Sequence, residues 1–464
     1  MILVAIVGLG DDAFSSQIVS GLSDHEDVAI TAVPSEDKIP DGEESLLIIR
    51  KGGRKGRTSE QPRPLVERIY VGDNDPRQLM FLINAKLGLM ANSSYWNTGF
   101  ARRKLLLGFR GGFASYISDA PRISDACETK FGCSKCVDLC PAKALRTNER
   151  NEIVVSEHEC TRCGLCASTC PVSAIQLPRF SESAFLGLIA GLEKSEAPKK
   201  TLVLTCDESR VKREPWMYVQ EVKDVGIIGR RHTAIAASSN LGAIIVYCAD
   251  GECVGKQKAK ESAESVRSVV RPGSIAIEYL EGVEAAERIE EIHSMSNSRK
   301  ETLLLGARSW DNYVKSLKYI TRSDASLEGL GLTNLLVSDA CTLCNACAIS
   351  CPHSSIRLTS GKIQFDSSTC TGCGNCASVC PEHAVSLKPL VLISDLSPRL
   401  AYHDDEIVNC LRCGKPLDSA KFLKRVASLA GTEDQTMTMI QYCQECKKKV
   451  AFERLFKTVQ SPAK

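Results

Sequence analysis

Continuous apolar runs at Leu3–Val7, Val28–Val33, Ser45–Ile49 and Arg68–Val71 read as buried strands. Phe14–Leu22 and Arg77–Leu89 read as amphipathic helices, so residues 1–118 predict an α/β layer. A second pattern of this kind fills 195–334. Its strands fall at Thr201–Thr205, Ala243–Cys248 and Ser274–Leu280, its helices near Thr233–Asn240 and Lys256–Val270, with a further helical stretch around Trp310–Tyr319. The segments 119–182 and 335–392 lack such periodicity. Each carries one brief hydrophobic strand, Ile153–Val155 or Ile363–Phe365. The tail, 400–464, has a helical pattern at Ser419–Leu429 and a basic end.

Those two loop-rich segments hold sixteen of the 23 cysteines, in four runs that each end Cys-Pro. They are Cys127-x5-Cys133-x2-Cys136-x3-Cys140-Pro141 with Cys160-x2-Cys163-x2-Cys166-x3-Cys170-Pro171, then Cys341-x2-Cys344-x2-Cys347-x3-Cys351-Pro352 with Cys370-x2-Cys373-x2-Cys376-x3-Cys380-Pro381. Cys160–Pro171 and Cys370–Pro381 share the pattern C-T-x-C-G-x-C-A-S-x-C-P, which makes the segments an internal repeat. A cubane iron–sulfur cluster needs four thiolates, and three closely spaced cysteines on one tight loop can supply three of them. Each segment is too short to bury much apolar surface, so ligation must supply much of its stability.

The runs resemble those of bacterial dicluster ferredoxins. That resemblance implies two 4Fe-4S clusters per segment with crossed ligation, the fourth cysteine of one run serving the other run's cluster. The implied sets are Cys341, Cys344, Cys347 with Cys380; Cys370, Cys373, Cys376 with Cys351; and Cys160, Cys163, Cys166 with Cys140. The last set, Cys127, Cys133, Cys136 with Cys170, departs from the pattern through the longer spacer after Cys127. Gly132 would ease that turn; the alternative is an idle Cys127 and a three-iron cluster. Proline after the fourth cysteine fixes the backbone as it leaves the cluster. Gly164, Ala167, Gly374 and Ala377 let the loops close tightly. His353 and His383 read as surface or packing residues.

The chain's 464 residues suit about three domains. With 58 Lys+Arg against 56 Asp+Glu, nothing calls for nucleic acid or an anionic membrane as a partner. No apolar run approaches the ~18 residues of a membrane span. The apolar start at Met1–Gly10 has no basic flank and meets Asp11 and Asp12, which favours a buried strand over an export signal. Long chain, odd cysteine count and C-x2-C spacing speak for metal rather than disulfides, and hence for a reducing cytoplasm.

In the middle segment, Gly226–His232 and the stretch Gly242–Cys253 resemble the delta subunit of methyl-viologen-reducing hydrogenase, a domain also fused to heterodisulfide reductase subunits. The resemblance implies a 2Fe-2S cluster held by more cysteines than this chain has. Asp207-Glu208-Ser209 stand where a second cysteine would be. Cys206, Cys248 and Cys253 are one ligand short, unless Asp207, Asp250 or His232 fills in; the alternative is a docking domain with leftover thiols. In the tail, Cys410-x2-Cys413 and Cys443-x2-Cys446 form two knuckles that suit structural zinc over a fifth iron site. At the head, Gly8-x-Gly10-x-x-Ala13 and Glu36 echo a dinucleotide fingerprint, but Asp11 and Asp12 would repel a pyrophosphate. The basic loop 50–57 reads as solvated, the alternative being contact with an acidic partner or a phosphate.

The expected fold class is therefore α/β plus α+β, with two dicluster ferredoxin-like modules alternating with two α/β domains and a zinc-ribbon-like C-terminal module. The expected function is an iron–sulfur subunit that passes single electrons within or between hydrogenase, formate dehydrogenase or heterodisulfide reductase-type complexes. A flavin- or substrate-binding heterodisulfide reductase-like enzyme and an iron–sulfur redox sensor are the alternatives. No nucleophile–base constellation is visible.

Overall fold

The computed structural model describes residues 2–7, 28–33, 45–51, 66–71, 83–87, 89–90 and 120–460, the last apart from 195–198, 250, 283–284, 286, 298–302, 304–308, 360, 397–399 and 430–439. The chain divides into two compact units, Met1–Thr129 with Ser134–Ala325, and Lys130–Cys133 with Ser326–Lys464.

The first unit contains two parallel four-stranded sheets. In the N-terminal sheet the spatial order is Val28–Val33, Ile2–Val7, Ser45–Lys51, Val66–Val71. In the central sheet it is Met217–Glu221, Thr201–Thr205, Ala243–Cys248, Ala276–Glu281. Each order runs second, first, third, fourth, so the connections reverse direction between the first and third strands. Strands covered on both faces read as unbroken apolar runs. Every residue of Thr201–Thr205 and Ala243–Cys248 is buried. One face packs Val203, Val219, Ile245 and Tyr247 against Ile289 and Ile292 of the helix Arg288–Met295.

Most expected elements form, with small shifts at their ends. The helix expected at Thr233–Asn240 runs Arg230–Ala237, and that around Trp310 runs Ser309–Ile320. Met217–Glu221 was not expected as a strand. Its Gln220 is buried, and its amide oxygen accepts from Tyr218 Oη and Lys86 Nζ, each at 3.1 Å. Phe14–Leu22, the Gly8–Ala13 turn, Glu36 and the loop 52–57 lie outside the described residues.

Both cysteine segments are built alike. A hairpin sits between the paired runs, Leu145–Thr147 with Ile153–Val155 or Ile356–Thr359 with Lys362–Phe365. The segment's ends pair antiparallel, Arg122–Ile123 with Ile175–Gln176 or Thr333–Val337 with Val385–Pro389. In the second unit Leu400–Asp404 adds a third strand to the hairpin. The tail continues with a small hairpin, Ile407–Asn409 with Pro416–Ser419, and the helices Ala420–Leu429 and Gln444–Gln460. Among the described residues no helix is long and apolar enough to cross a membrane.

Candidate metal centres

Each run ends in the same backbone device. The third residue past the last cysteine, Lys143, Ser173, Ser354 or His383, is left-handed, with φ of 50°, 52°, 52° and 47°. Its amide donates to the carbonyl of that cysteine at 3.1–3.3 Å. The turn aims the next amide at the sulfur: Ala174 N donates to Cys170 Sγ at 3.2 Å, Ser355 N to Cys351 Sγ at 3.3 Å and Ala384 N to Cys380 Sγ at 3.2 Å. Proline in the intervening position has no amide to compete. Amides aimed at sulfur stabilise thiolate charge and tune cluster potential.

In the second unit the sulfurs surround two cavities. One is lined by Cys341, Cys344, Cys347 and Cys380 together with Ile356, Leu358 and Ile363. The other is lined by Cys351, Cys370, Cys373 and Cys376 beside Phe365 and Leu387. Burial, then the neighbouring Cys341, Cys344 and Cys380, push the Cys347 thiol up to about 11. Burial, then Cys370, Cys373, Cys347 and Cys351, push Cys376 up to about 12. Four crowded thiols in an apolar shell favour a bound cationic cluster, whose ligation displaces their protons to solvent, and the donor set fits a cubane.

In the first unit, burial raises the Cys160 thiol, and Cys163 and Cys140 stand close enough to raise it further. Cys166 is raised likewise by burial, then by Cys163 and Cys136. The spacer after Cys127 folds as a 3-10 turn at Thr129–Phe131, and Gly132 takes a φ of +88°. Cys127 Sγ lies 2.9 Å from Thr129 Oγ1. Cys127, Cys136 and Cys170 belong to the first unit and Cys133 to the second.

One functional neighbour had escaped the sequence reading. Arg231, only 5% exposed, donates from Nη1 to the Cys170 carbonyl and from Nη2 to the Ala167 carbonyl at 3.3 Å. It pairs with buried Glu182 at 3.5 Å. Burial alone would raise the Glu182 carboxyl; Arg231, His232 and the hydroxyls of Ser309 and Ser173 hold it below its ordinary value. Two adjacent basic residues give no signal of burial in the sequence.

In the tail, the sulfurs of Cys410, Cys413, Cys443 and Cys446 all lie within 4.8 Å of one another, with Cys413 and Cys443 at 3.6 Å. Tetrahedral sulfurs 2.3 Å from one ion sit about 3.8 Å apart, so the set fits a single closed site. Cys443 N also donates to Cys410 Sγ at 3.3 Å.

In the central sheet Cys206 follows the first strand, Cys248 closes the third, and Cys253 lies in the loop before the helix Lys256–Val269. Their sulfurs too lie within 4.8 Å of one another. The candidates for a fourth ligand are otherwise engaged. Asp207 Oδ1 accepts from Ser209 N and Oγ, at 2.9 and 2.6 Å. His232 packs edge-on to Phe185 and tilted against Phe180, beside Glu182, and its Nδ1 accepts from Gly229 N at 3.2 Å. Asp250 lies outside the described residues. His353 lines the second cavity.

Two family models match the chain, each described as a 4Fe-4S dicluster domain, at residues 127–174 and 334–384. The protein thus carries two 4Fe-4S dicluster domains of ferredoxin type in a mixed α/β chain. Neither match reaches 195–330 or 400–464. No curated protein matches the chain.

Proposed function

We propose that the protein is an electron-transfer subunit that carries four 4Fe-4S clusters and relays single electrons between larger redox partners. The two dicluster domains support the iron–sulfur electron-transfer role. The crossed ligand sets rest chiefly on one observation, the two cavities of the second unit, each lined by three cysteines of one run and the last cysteine of the other. The neighbourhood of Cys140 and Cys160 supports the same crossing in the first segment. The set Cys127, Cys133, Cys136 and Cys170 rests on the run pattern alone. Zinc is the ion proposed for the tail, where four thiolates close a structural site that carries no electrons. Hydrogenase, formate dehydrogenase or heterodisulfide reductase-type subunits in the cytoplasm are the proposed partners, on the resemblance of the middle segment to the hydrogenase delta subunit.

Anaerobic metal analysis with electron paramagnetic resonance tests this reading. The expected yield is about 16 iron per chain, four for each cubane, with signals of reduced 4Fe-4S clusters. Cys351→Ala and Cys380→Ala should each remove about four of them. A total near eight iron would delete one domain from the relay. A flavin that persists after the clusters are stripped would move the protein to the heterodisulfide reductase-like enzymes.

A further inference from the structure

The hydrogenase-like resemblance implies a 2Fe-2S cluster at Cys206, Cys248 and Cys253, and the donors do not fit one. A binuclear cluster needs two pairs of thiolates, one on each iron, held apart by the bridging sulfides between them. Here three sulfurs gather within 4.8 Å, and among the described residues no fourth cysteine joins them. That spacing suits one tetrahedral ion, whose sulfur ligands sit about 3.8 Å apart. The place also suits a ligand. Cys206 and Cys248 stand at the carboxyl ends of the first and third strands, where the sheet's connections reverse and open α/β sheets bind their ligands.

Oxygen is the donor left for the fourth corner. Asp224 is near Cys253, yet its carboxylate accepts from Gly226 N at 2.7 Å, Val254 N at 2.7 Å and Gly255 N at 3.2 Å. The Tyr279 hydroxyl stands near Cys248 but donates to Glu281 Oε2 at 3.3 Å, so it too is engaged. We propose that Cys206, Cys248 and Cys253 bind a single zinc-type divalent ion through three thiolates, with a water oxygen completing the tetrahedron. Binding would also fix the 253–255 loop. A Cβ on Gly226 would come 2.7 Å from Gly255 Cα and 3.0 Å from the Cys163 carbonyl oxygen, so Gly226 is pressed between this loop and the cysteine run.

The test uses the full-length chain, purified anaerobically with zinc supplied. Cys410→Ser with Cys413→Ser empties the tail site. One zinc per chain should then remain, and adding Cys253→Ser should remove it while iron stays unchanged. Zinc-edge X-ray absorption, blind to the iron clusters, should read three sulfurs and one oxygen for that remaining ion. If the tail variant does not fold, the wild-type chain decides, since two zinc ions with sulfur coordination short of eight sulfurs are expected. No zinc beyond the tail, a fourth sulfur on this ion, or a binuclear iron signal abolished by Cys253→Ser would each overturn the proposal.

Discussion

The two dicluster domains share the Cys-x2-Cys-x3-Cys-Pro close of every run, the left-handed residue after it and, at Cys170, Cys351 and Cys380, an amide aimed at the last sulfur, yet different neighbours hold them. In the second, Asn375 Nδ2 donates to the Ser350 carbonyl at 2.7 Å and ties one run to the other. The tail adds Ser419 Oγ donating to Thr342 O at 2.6 Å and an Arg425–Glu382 ion pair at 3.0 Å. In the first, the position matching Asn375 is Leu165, which is buried. Its closing contacts come from the central α/β layer instead: Ile227 against Gly164, Gly229 against the Ser168 carbonyl, and Arg231 on the carbonyls of Cys170 and Ala167. A large apolar core therefore backs one domain, and a small four-thiol knuckle backs the other. Nearly identical loops can be stabilised by unlike means, and each means should fail in its own way.

The sharpest separation should come from the ion proposed for the tail. Structural zinc contributes on the order of 10 kcal/mol to folding in small zinc-dependent peptides. Cys443→Ser with Cys446→Ser should therefore unfold 400–460 and loosen the second domain. Hydrogen exchange should rise across Thr333–Pro389 and stay unchanged across 134–193. Equal rises in both would erase the comparison.

Arg231→Met strikes the other domain alone. It strands Glu182 in a buried site, which costs about 3–5 kcal/mol. Adding Glu182→Gln should recover part of that loss in a denaturant titration. Full stability in the single variant would show that the clasp on Cys170 and Ala167 is idle.

Acid should also act on the first unit through His232. Burial pushes this histidine down to about 4 from an ordinary 6.5, against the pull of Glu182. Between those values the unfolded chain takes up a proton that the folded chain refuses. The stability is thus whole above pH 6.5 and falls as pH drops toward 4, by about 3 kcal/mol at roughly 1.4 kcal/mol per pH unit. His232→Asn should flatten that part of the thermal stability profile; an unchanged slope would exclude His232 as its source.

The smallest contrast sets matching glycines side by side. Gly164 and Gly374 both adopt a left-handed backbone, with φ of +76° and +84°. Alanine at either costs about 1 kcal/mol of backbone strain. A Cβ at Gly164 would also press on Ile227 at 2.5 Å, whereas at Gly374 it meets nothing within 4 Å. Gly164→Ala should then be the worse by about 1–3 kcal/mol in chemical unfolding.

The cluster chemistry was legible because it is local. Cysteine spacing, the proline after each run and the glycines Gly164 and Gly374 before two of the short helices are written within a dozen residues, so the two dicluster domains could be read directly. Apolar runs disclosed most strands of both sheets for the same reason. Met217–Glu221 escaped because its polar Gln220 is tolerated only through Lys86 and Tyr218, a partnership no local pattern encodes. Arg231 escaped likewise, since its burial depends on Glu182 from a helix far away in the chain.

Thiolate number and spacing in the runs thus belonged to the amino-acid sequence itself, because a tight loop brings near neighbours together whatever surrounds it. Tertiary structure alone decided which cysteines line each cavity of the second unit, what backs each domain, and how closely Cys206, Cys248 and Cys253 approach. Those outcomes depend on strand order and packing between distant segments, where one added methyl or one unpaired charge outweighs any local preference.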